Sequence, residues 1–446
     1  MASTYEDPSG MNPENNVGPA PQTASSGDRS SWPEANTSSI SVGMNNPANQ
    51  YFRSRRLRKG TANEKPWLKE KDSREIWITL IPLIGLLCGL GIAAALVWSG
   101  YKSVTNLEYC LVLDEDWSHG IRSNVWTREA EVGGFGNGQF DMTTMAEENS
   151  FIKDGALHIK PTLQDAELVK HNSVINYTAQ GICASDKWYN CVTSTNTTNG
   201  TIVSPAKSAR MSTRKSVSIK YGRVEVEAKL PSGDWLWPAI WMLPRDSVYG
   251  EWPQSGEIDI AESRGNNWTY EGGGNDYVGS TLHWGPSTEH DQWWRSHDKK
   301  RALHTTFSDK FHTFGLEWSD KYMFTYIDSR LMQVFFTHLD TPFWQRGQFP
   351  LTGSNGTRYL DPWSQTGNPS TPFDKEFYLI LNVAVGGTNA WFKDGKSGKP
   401  WVDGSPSARL DFWNAQDKWY PTWDENAAMV VKHVRMWQQK GFNDCM

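Results

Sequence analysis

Two apolar patterns divide the 446-residue chain. The first is one unbroken stretch. Ile76 to Trp98 runs for 23 residues without a charge, from Ile-Trp-Ile-Thr-Leu-Ile-Pro through Ala-Leu-Val-Trp. As a helix it reaches about 35 Å, enough for a hydrocarbon layer about 30 Å thick. It is apolar on every side, which a buried core helix seldom is for so long. It also starts too far into the chain, and runs too long, for a cleavable signal peptide. Trp77 and Trp98 stand at its ends, where interfacial aromatics belong.

The second pattern is short and repeated. Beyond residue 108, apolar and polar residues alternate between clusters of Gly, Pro, Asn and Asp. The runs are Leu157–Ile159, Val217–Ile219, Val224–Leu230, Tyr322–Ile327, Leu331–Phe336, Phe377–Val385 and Met429–Trp437. Long amphipathic helices are scarce and no internal repeat is visible. Many short strands with turns between them predict an all-β sandwich. Residues 1–50 follow neither pattern. Rich in Ser, Asn, Pro and Gly, they bury too little apolar surface to fold and are expected to be disordered.

Charge gives the apolar stretch a direction. Arg53, Arg55, Arg56, Arg58, Lys59, Lys65, Lys69, Lys71 and Arg74 precede it, against Lys102 just beyond its far end. The positive-inside rule then makes 1–75 a cytoplasmic tail, 76–98 a signal-anchor in the lipid bilayer, 99–107 a stem and 108–446 one lumenal or extracellular domain. That is a single-pass type II arrangement. The net charge of −6 is spread along the chain and gives no reason to expect a nucleic-acid partner.

Cysteines and glycosylation sequons bear on the same topology. Cys88 lies inside the span; Cys110, Cys183, Cys191 and Cys445 lie beyond it and allow three pairings. Cys183 and Cys191 flank a loop-like Ala-Ser-Asp-Lys-Trp-Tyr-Asn, which suits a local bridge. Cys110 and Cys445 bracket the domain, and terminal strands of a sandwich often lie side by side. Cys183–Cys191 and Cys110–Cys445 are therefore expected, with Cys88 free. Sequons at Asn176, Asn196, Asn199, Asn267 and Asn355 fall on the lumenal side, while one at Asn36 is cytoplasmic and should stay bare.

The candidate chemistry sits in Gly256-Glu257-Ile258-Asp259-Ile260-Ala261-Glu262. Acid and aliphatic residues alternate with the period of a strand. Strict alternation would put Glu262 on the opposite face from Glu257 and Asp259; a β-bulge near Ala261 returns it to theirs. Trp235, Trp237, Trp241, Trp252 and Trp268 flank the run, so the acid face is expected to lie in an aromatic groove. Retaining glycoside hydrolysis needs two carboxyl groups roughly 5–5.5 Å apart, one as nucleophile and one as proton donor. Glu257 and Glu262 are about four strand steps apart, on the order of 13 Å between Cα atoms, so their side chains must lean together. Asp259 between them would share a proton with its neighbours or repel them. Twenty of the 24 tryptophans follow residue 110; about half suit core packing, and the rest exceed what a core needs and suit stacking against sugar rings.

This heptapeptide, with Leu236-Trp237-Pro238-Ala239-Ile240-Trp241-Met242-Leu243-Pro244 before it, resembles the signature of glycoside hydrolase family 16, in particular its laminarinase-like branch. Lys220–Lys229, Thr281-Leu282-His283-Trp284-Gly285, Phe314-Gly315-Leu316-Glu317-Trp318 and Leu381–Gly387 follow in that family's order, so the resemblance covers about residues 110–440. It implies a jelly roll of two curved antiparallel sheets, with Glu257 as nucleophile, Asp259 as its modulator and Glu262 as acid/base, acting on β-glucan. Fungal members of the branch often carry a membrane anchor. Glucan-recognition relatives typically lose one or more of the three acids, and all three stand here. Anchored wall-assembly relatives carry insertions near the acids that this chain lacks.

Substrate contacts follow partly from the residues and partly from the resemblance. Trp237 and Trp241, four apart on a strand, share a face. Asn382 is polar inside a run as apolar as Tyr378-Leu379-Ile380-Leu381, where it needs a hydrogen-bond partner, and is expected to face the cleft. Asn382 and Glu317 are both expected on strands neighbouring the catalytic one. The resemblance puts Asn137 of the loop Gly133–Phe140 at the non-reducing side, although Phe-Gly-Asn-Gly-Gln replaces the common Trp-Gly-Asn-Asn-Glu. His283 is a candidate cleft hydrogen bond, and Trp391 a floor for a positive subsite. No set of His or Cys has metal-ligand spacing, so neither metal nor cofactor is expected.

Overall fold

The computed structural model describes residues 65–66, 72–103, 106–350, 352, 356, 358–443 and 445. The tail at 1–50, the sequons at Asn36 and Asn355, and all of the nine basic residues except Lys65 and Arg74 lie outside the described residues. The chain forms two units, one ending at Asn106 and one spanning Leu107–Met446.

In the first unit the apolar run becomes helix α1 (Glu75–Ser103). Its side chains are exposed along the apolar stretch, and by length and composition it is long enough to cross a membrane. Apolar residues point in every direction from it, so it has no polar face.

The second unit is built from strands. In chain order these are β1 (Tyr109–Glu115), β2 (Thr127–Arg128), β3 (Asp141–Thr143), β4 (Ser150–Lys153), β5 (Ala156–Ile159), β6 (Thr162–Leu163) and β7 (Ser173–Asn176). Then come β8 (Val192–Thr195), β9 (Ala206–Ser208), β10 (Arg210–Ser212), β11 (Ser218–Ile219), β12 (Gly222–Lys229), β13 (Leu236–Pro244) and β14 (Glu257–Glu262). The chain continues with β15 (Tyr277–His283), β16 (His297–Arg301), β17 (His312–Trp318), β18 (Tyr322–Ile327), β19 (Gln333–His338), β20 (Phe377–Val385) and β21 (Met429–Gln439).

Two antiparallel sheets carry most of them. One has the order β19-β18-β17-β12-β21-β5-β4, with β1 beside β21; the other has the order β16-β15-β14-β13-β20-β10-β2, with β11 beside β20. The alternation that predicted the strands also fills the space between the sheets. Val224, Val226 and Ala228 of β12 and Phe314, Leu316 and Trp318 of β17 join Ile240, Met242, Ile258, Leu379, Leu381 and Val383 in one core. The result is the all-β jelly-roll sandwich.

Alternation shows faces but not partners, and this is where one expectation fails. β17 pairs with β12 and β18 in the sheet opposite β14, so Glu317 does not neighbour the strand of the three acids. Because Leu316 and Trp318 fill the core, Glu317 points away from it. There it accepts a hydrogen bond from Tyr322 Oη at 2.8 Å and pairs with Arg330 at 2.5 Å. Asn382 is also not adjacent: β20 is separated from β14 by β13. The strand expected over Leu331–Phe336 begins instead at Gln333, because the turn after Ile327 takes up the preceding residues.

Two disulfides close the unit. Cys110–Cys445 joins β1 to the segment after β21, across 335 positions of sequence, and Cys183–Cys191 closes the loop between β7 and β8. Cys88 on α1 is free. Asn196, Asn199 and Asn267 are exposed and Asn176 is half-buried. The chain-entropy view assigns the long closure on the order of 5 kcal/mol and the short one about 2–3 kcal/mol. Replacing Cys110 and Cys445 by Ser is therefore expected to lower the urea midpoint more than the same change at Cys183 and Cys191, as followed by tryptophan fluorescence.

Candidate active site

β14 starts at a turn that requires glycine. Gly256 has φ of 84°, and a Cβ there would sit 3.0 Å from the Phe373 ring. Glu257 then lies opposite His283 and Asp259 opposite Thr281 on β15, before the register breaks and resumes with Glu262 opposite Gly279. On the other side Asp259 faces Trp241 and Glu262 faces Ala239 of β13. The three steps from Asp259 to Glu262 thus match two on β15, which is a bulge at Ile260–Ala261. Ile258, Ile260 and Ala261 are all buried in the main core. Glu257, Asp259 and Glu262 therefore share the opposite side of the sheet, a trough.

Neighbouring strands continue the trough. Asp259 is followed across the sheet by Trp241, Ile380 and Ser212, and Glu262 by Ala239, Asn382 and Arg210. Ala239, Trp241, Tyr378 and Ile380 form an apolar cluster separate from the main core, so this face has a floor of its own.

Each acid has an anchored partner. Trp252 Nε1 donates to Glu257 Oε2 at 2.9 Å, and Trp237 Nε1 donates to Glu262 Oε1 at 2.9 Å. His283 Nε2 stands 3.3 Å from Asp259 Oδ2, while its Nδ1 lies 2.5 Å from Asp291 Oδ2. The second oxygen of Asp291 accepts the backbone N–H groups of Trp284 and Trp293. Trp241 Nε1 donates to Asn382 Oδ1 at 2.7 Å, which gives that buried amide its partner.

Burial and mutual repulsion set the charge state. Burial pushes Glu257 up to about 8, with the charge of Asp259 adding to the rise. Asp259 is pushed to about 6, again by burial first and then by Glu262. Burial also raises Glu262. His283 moves the other way from a buried imidazole: burial lowers it, but Asp291 and the bonds to Asp259 and Asp291 outweigh that and hold it well above its ordinary value. One imidazolium among three crowded carboxyl groups leaves the cluster holding at least one carboxyl proton near neutral pH. Glu257, Asp259 and His283 also offer ligand atoms within 4.8 Å of one another.

The residues singled out for substrate contact come together on the trough, with differences. Trp237 and Trp241 are only 8% and 9% exposed. Trp391 stacks on Trp237 at 4.7 Å, and the Arg210 guanidinium lies over Trp241 at 4.7 Å. Each indole thus has one ring face occupied and contributes its N–H. Trp391 is held by Arg264, which lies 4.1 Å over its ring and bonds its carbonyl. The loops carrying Asn137 and Trp391 adjoin: Gly138 packs against Thr388, and Gly387 lies near the Asn137 carbonyl. Asn137 and Trp391 therefore border one rim.

Sequence reasoning missed Asp291 and Arg264 altogether, and it placed Trp252 near the acids without giving it a bond. Arg264 follows Glu262 at strand period, which is a usable signal. Asp291 had none, because the turn after β15 brings it back to His283.

Residues 175–356, which contain the acids, match the model of glycosyl hydrolases family 16. The chain is 39% identical over 345 residues to the beta-1,3-glucan-binding protein of Penaeus monodon, covering 74% of this chain and 91% of that protein. The chain belongs to family 16. It is also 31% identical over 258 residues to glucan endo-1,3-beta-glucosidase A1 of Niallia circulans, covering 57% of this chain and 29% of that protein. Among solved structures it is similar to the laminarinase from Rhodothermus marinus, at 24% identity and a TM-score of 0.46, over 75% of this chain and 99% of that one.

For this family 16 chain the signs of the shifts give a pH dependence. Glu257 and Asp259 are raised on folding, so the folded protein holds protons that the unfolded chain releases above about pH 4. The raised His283 acts in the same direction. Stability from the cluster is present at acid pH and is lost as pH rises through about 6 and about 8. The thermal midpoint is expected to fall between about pH 5 and about pH 9, and Glu257→Gln to flatten that fall by a few degrees. Parallel profiles for the two proteins would contradict the assignment.

Proposed function

We propose that residues 108–446 form a retaining endo-β-glucanase that hydrolyses β-1,3- or mixed-linkage β-glucan at a membrane surface. The observation that carries this reading is the bulged β14, with three carboxyl groups on one side in an aromatic trough. Glu262 gives its proton to the glycosidic oxygen as the C–O bond breaks, while the Glu257 carboxylate bonds to the anomeric carbon. Glu262 then takes a proton from water, whose oxygen displaces Glu257. A sugar hydroxyl in place of that water makes the same site a transglycosylase.

The resting site is not yet in that state. Burial and the charge of Asp259 raise Glu257 to about 8, so Glu257 must give up a proton before its carboxylate can attack. Asp259, which hydrogen-bonds Glu257 and stands between the two glutamates on β14, would help to move that proton toward Glu262.

In this reading α1 is a type II signal-anchor. It leaves 1–75 in the cytoplasm and the catalytic domain, on a stem at 99–107, outside the plasma membrane or in the secretory lumen. Asn176, Asn196, Asn199, Asn267 and Asn355 would then be glycosylation sites, and Asn137, Trp237, Trp241, His283, Asn382 and Trp391 would shape the sugar site.

A second reading, recognition of β-1,3-glucan without cleavage, is favoured by the name of the Penaeus monodon relative. Release of reducing ends from laminarin separates the two. Turnover is expected for the native chain, with Glu257→Gln and Glu262→Gln each lowering the rate by about 10²–10⁴-fold while laminarin still binds. Saturable binding by the native chain without turnover supports recognition alone.

A further inference from the structure

A second aromatic element borders the trough at the edge away from the acids. β2 is four strands from β14, about 19 Å at the usual strand spacing. The chain leaves β2 through Glu129 to Gly133. Ala130 and Val132 turn into a small separate core with Tyr177 and Val203. Glu129 alternates to the other side, where it pairs with Arg210 at 2.7 Å.

The disulfide-closed loop is joined to this same segment. Ala184 N–H donates to the Ala130 carbonyl at 2.9 Å, and Val132 N–H donates to the Asn190 carbonyl at 2.8 Å. Gly133 is so close that a Cβ there would sit 2.3 Å from Asn190 Oδ1. Lys187 lies within electrostatic reach of Glu131, as does Arg210. From Gly133 the chain runs on to Phe135, 4.1 Å from the Arg210 guanidinium, and then to Asn137. The loop therefore continues the rim that Asn137 and Trp391 border.

At its tip the turn Trp188–Asn190 leaves Trp188 73% and Tyr189 54% exposed, edge to face with centroids 6.1 Å apart. Aromatic side chains are large and have few rotors, and a disulfide-held turn loses little freedom when it binds. Lys187 and Asn190 flank the rings in sequence, and Glu131 lies within electrostatic reach of Lys187. That mixture fits a sugar, with its apolar ring face and surrounding hydroxyls, better than the apolar surround of a protein anchor.

We infer that Trp188 and Tyr189 form a distal subsite, which takes the part of a long β-glucan chain that reaches past β2. The inference rests on the trough itself binding β-glucan. Its consequence is selectivity for length: polymers gain from the loop, and oligosaccharides that fill only the trough do not.

The test uses the full chain in detergent carrying Glu257→Gln, so that the polymer stays intact, with and without Trp188→Ala plus Tyr189→Ala. Binding is measured by calorimetry against laminarin and against a β-1,3-linked glucose trisaccharide. The double change is expected to weaken laminarin binding about five- to tenfold and to leave the trisaccharide unchanged. Trp188→Phe alone should retain most of the laminarin affinity. Unchanged laminarin binding overturns the distal subsite and leaves the trough reading standing. Equal loss for both ligands overturns it as well, since that marks damage to the trough. If the parent binds neither ligand, both readings fall.

Discussion

The trough depends on one surplus residue in β14. Side chains on a strand alternate, so without the bulge Glu262 would enter the core beside Ile258, or Glu257 and Asp259 would do so in its place. A lone carboxylate among apolar residues cannot stay ionised there except at a cost of several kcal/mol. The bulge avoids the choice by sending two consecutive residues, Ile260 and Ala261, to the core. Ala261 is small, so the doubled inward position adds little volume where the sheets already pack closely. The pairing resumes at once, with Glu262 opposite Gly279 and Ala239, and the irregularity stays local.

Gathering three acids on one side creates its own expense, which the surrounding groups offset. Indole N–H groups from Trp237 and Trp252 each donate to one glutamate, and the bond from Trp237 favours the ionised form of Glu262. His283 and Arg264 bring positive charge to the acids, and Asp291 holds the His283 imidazole well above its ordinary range despite burial. Asp291 is itself fixed by two backbone N–H groups, so its position is set by the turn and not by the site. Even so, the acids remain raised, which is the condition for one of them to hold a proton at neutral pH.

Much of this was legible because it is local. β18 and β20 occupy the residues their alternation outlined, and Trp237 and Trp241 share a side because they are four apart on one strand. The acids could be placed together from the sequence because a bulge is the one local change that reconciles their spacing with a common face. What was not legible is pairing. Glu317 sits in a strand as regular as any, yet nothing in its own sequence tells which sheet it joins. Asp291 depends on a turn whose geometry the sequence does not advertise. The same limit applies to ring faces: the sequence put two tryptophans on the trough, but not Arg210 and Trp391 against them.

The apolar floor links these facts. An antiparallel sheet usually keeps one face for water, yet β13 and β20 are buried almost throughout on both. The second face is covered by its own cluster of Ala239, Trp241, Tyr378 and Ile380. That cluster lowers the local polarity beside Asp259, so the apolar floor of the trough also helps to push the carboxyl groups up. A ring settling on the floor would displace more water and strengthen each remaining charge interaction. The floor and the acids therefore act as one device: the apolar residues set the proton affinity that the carboxyl groups use.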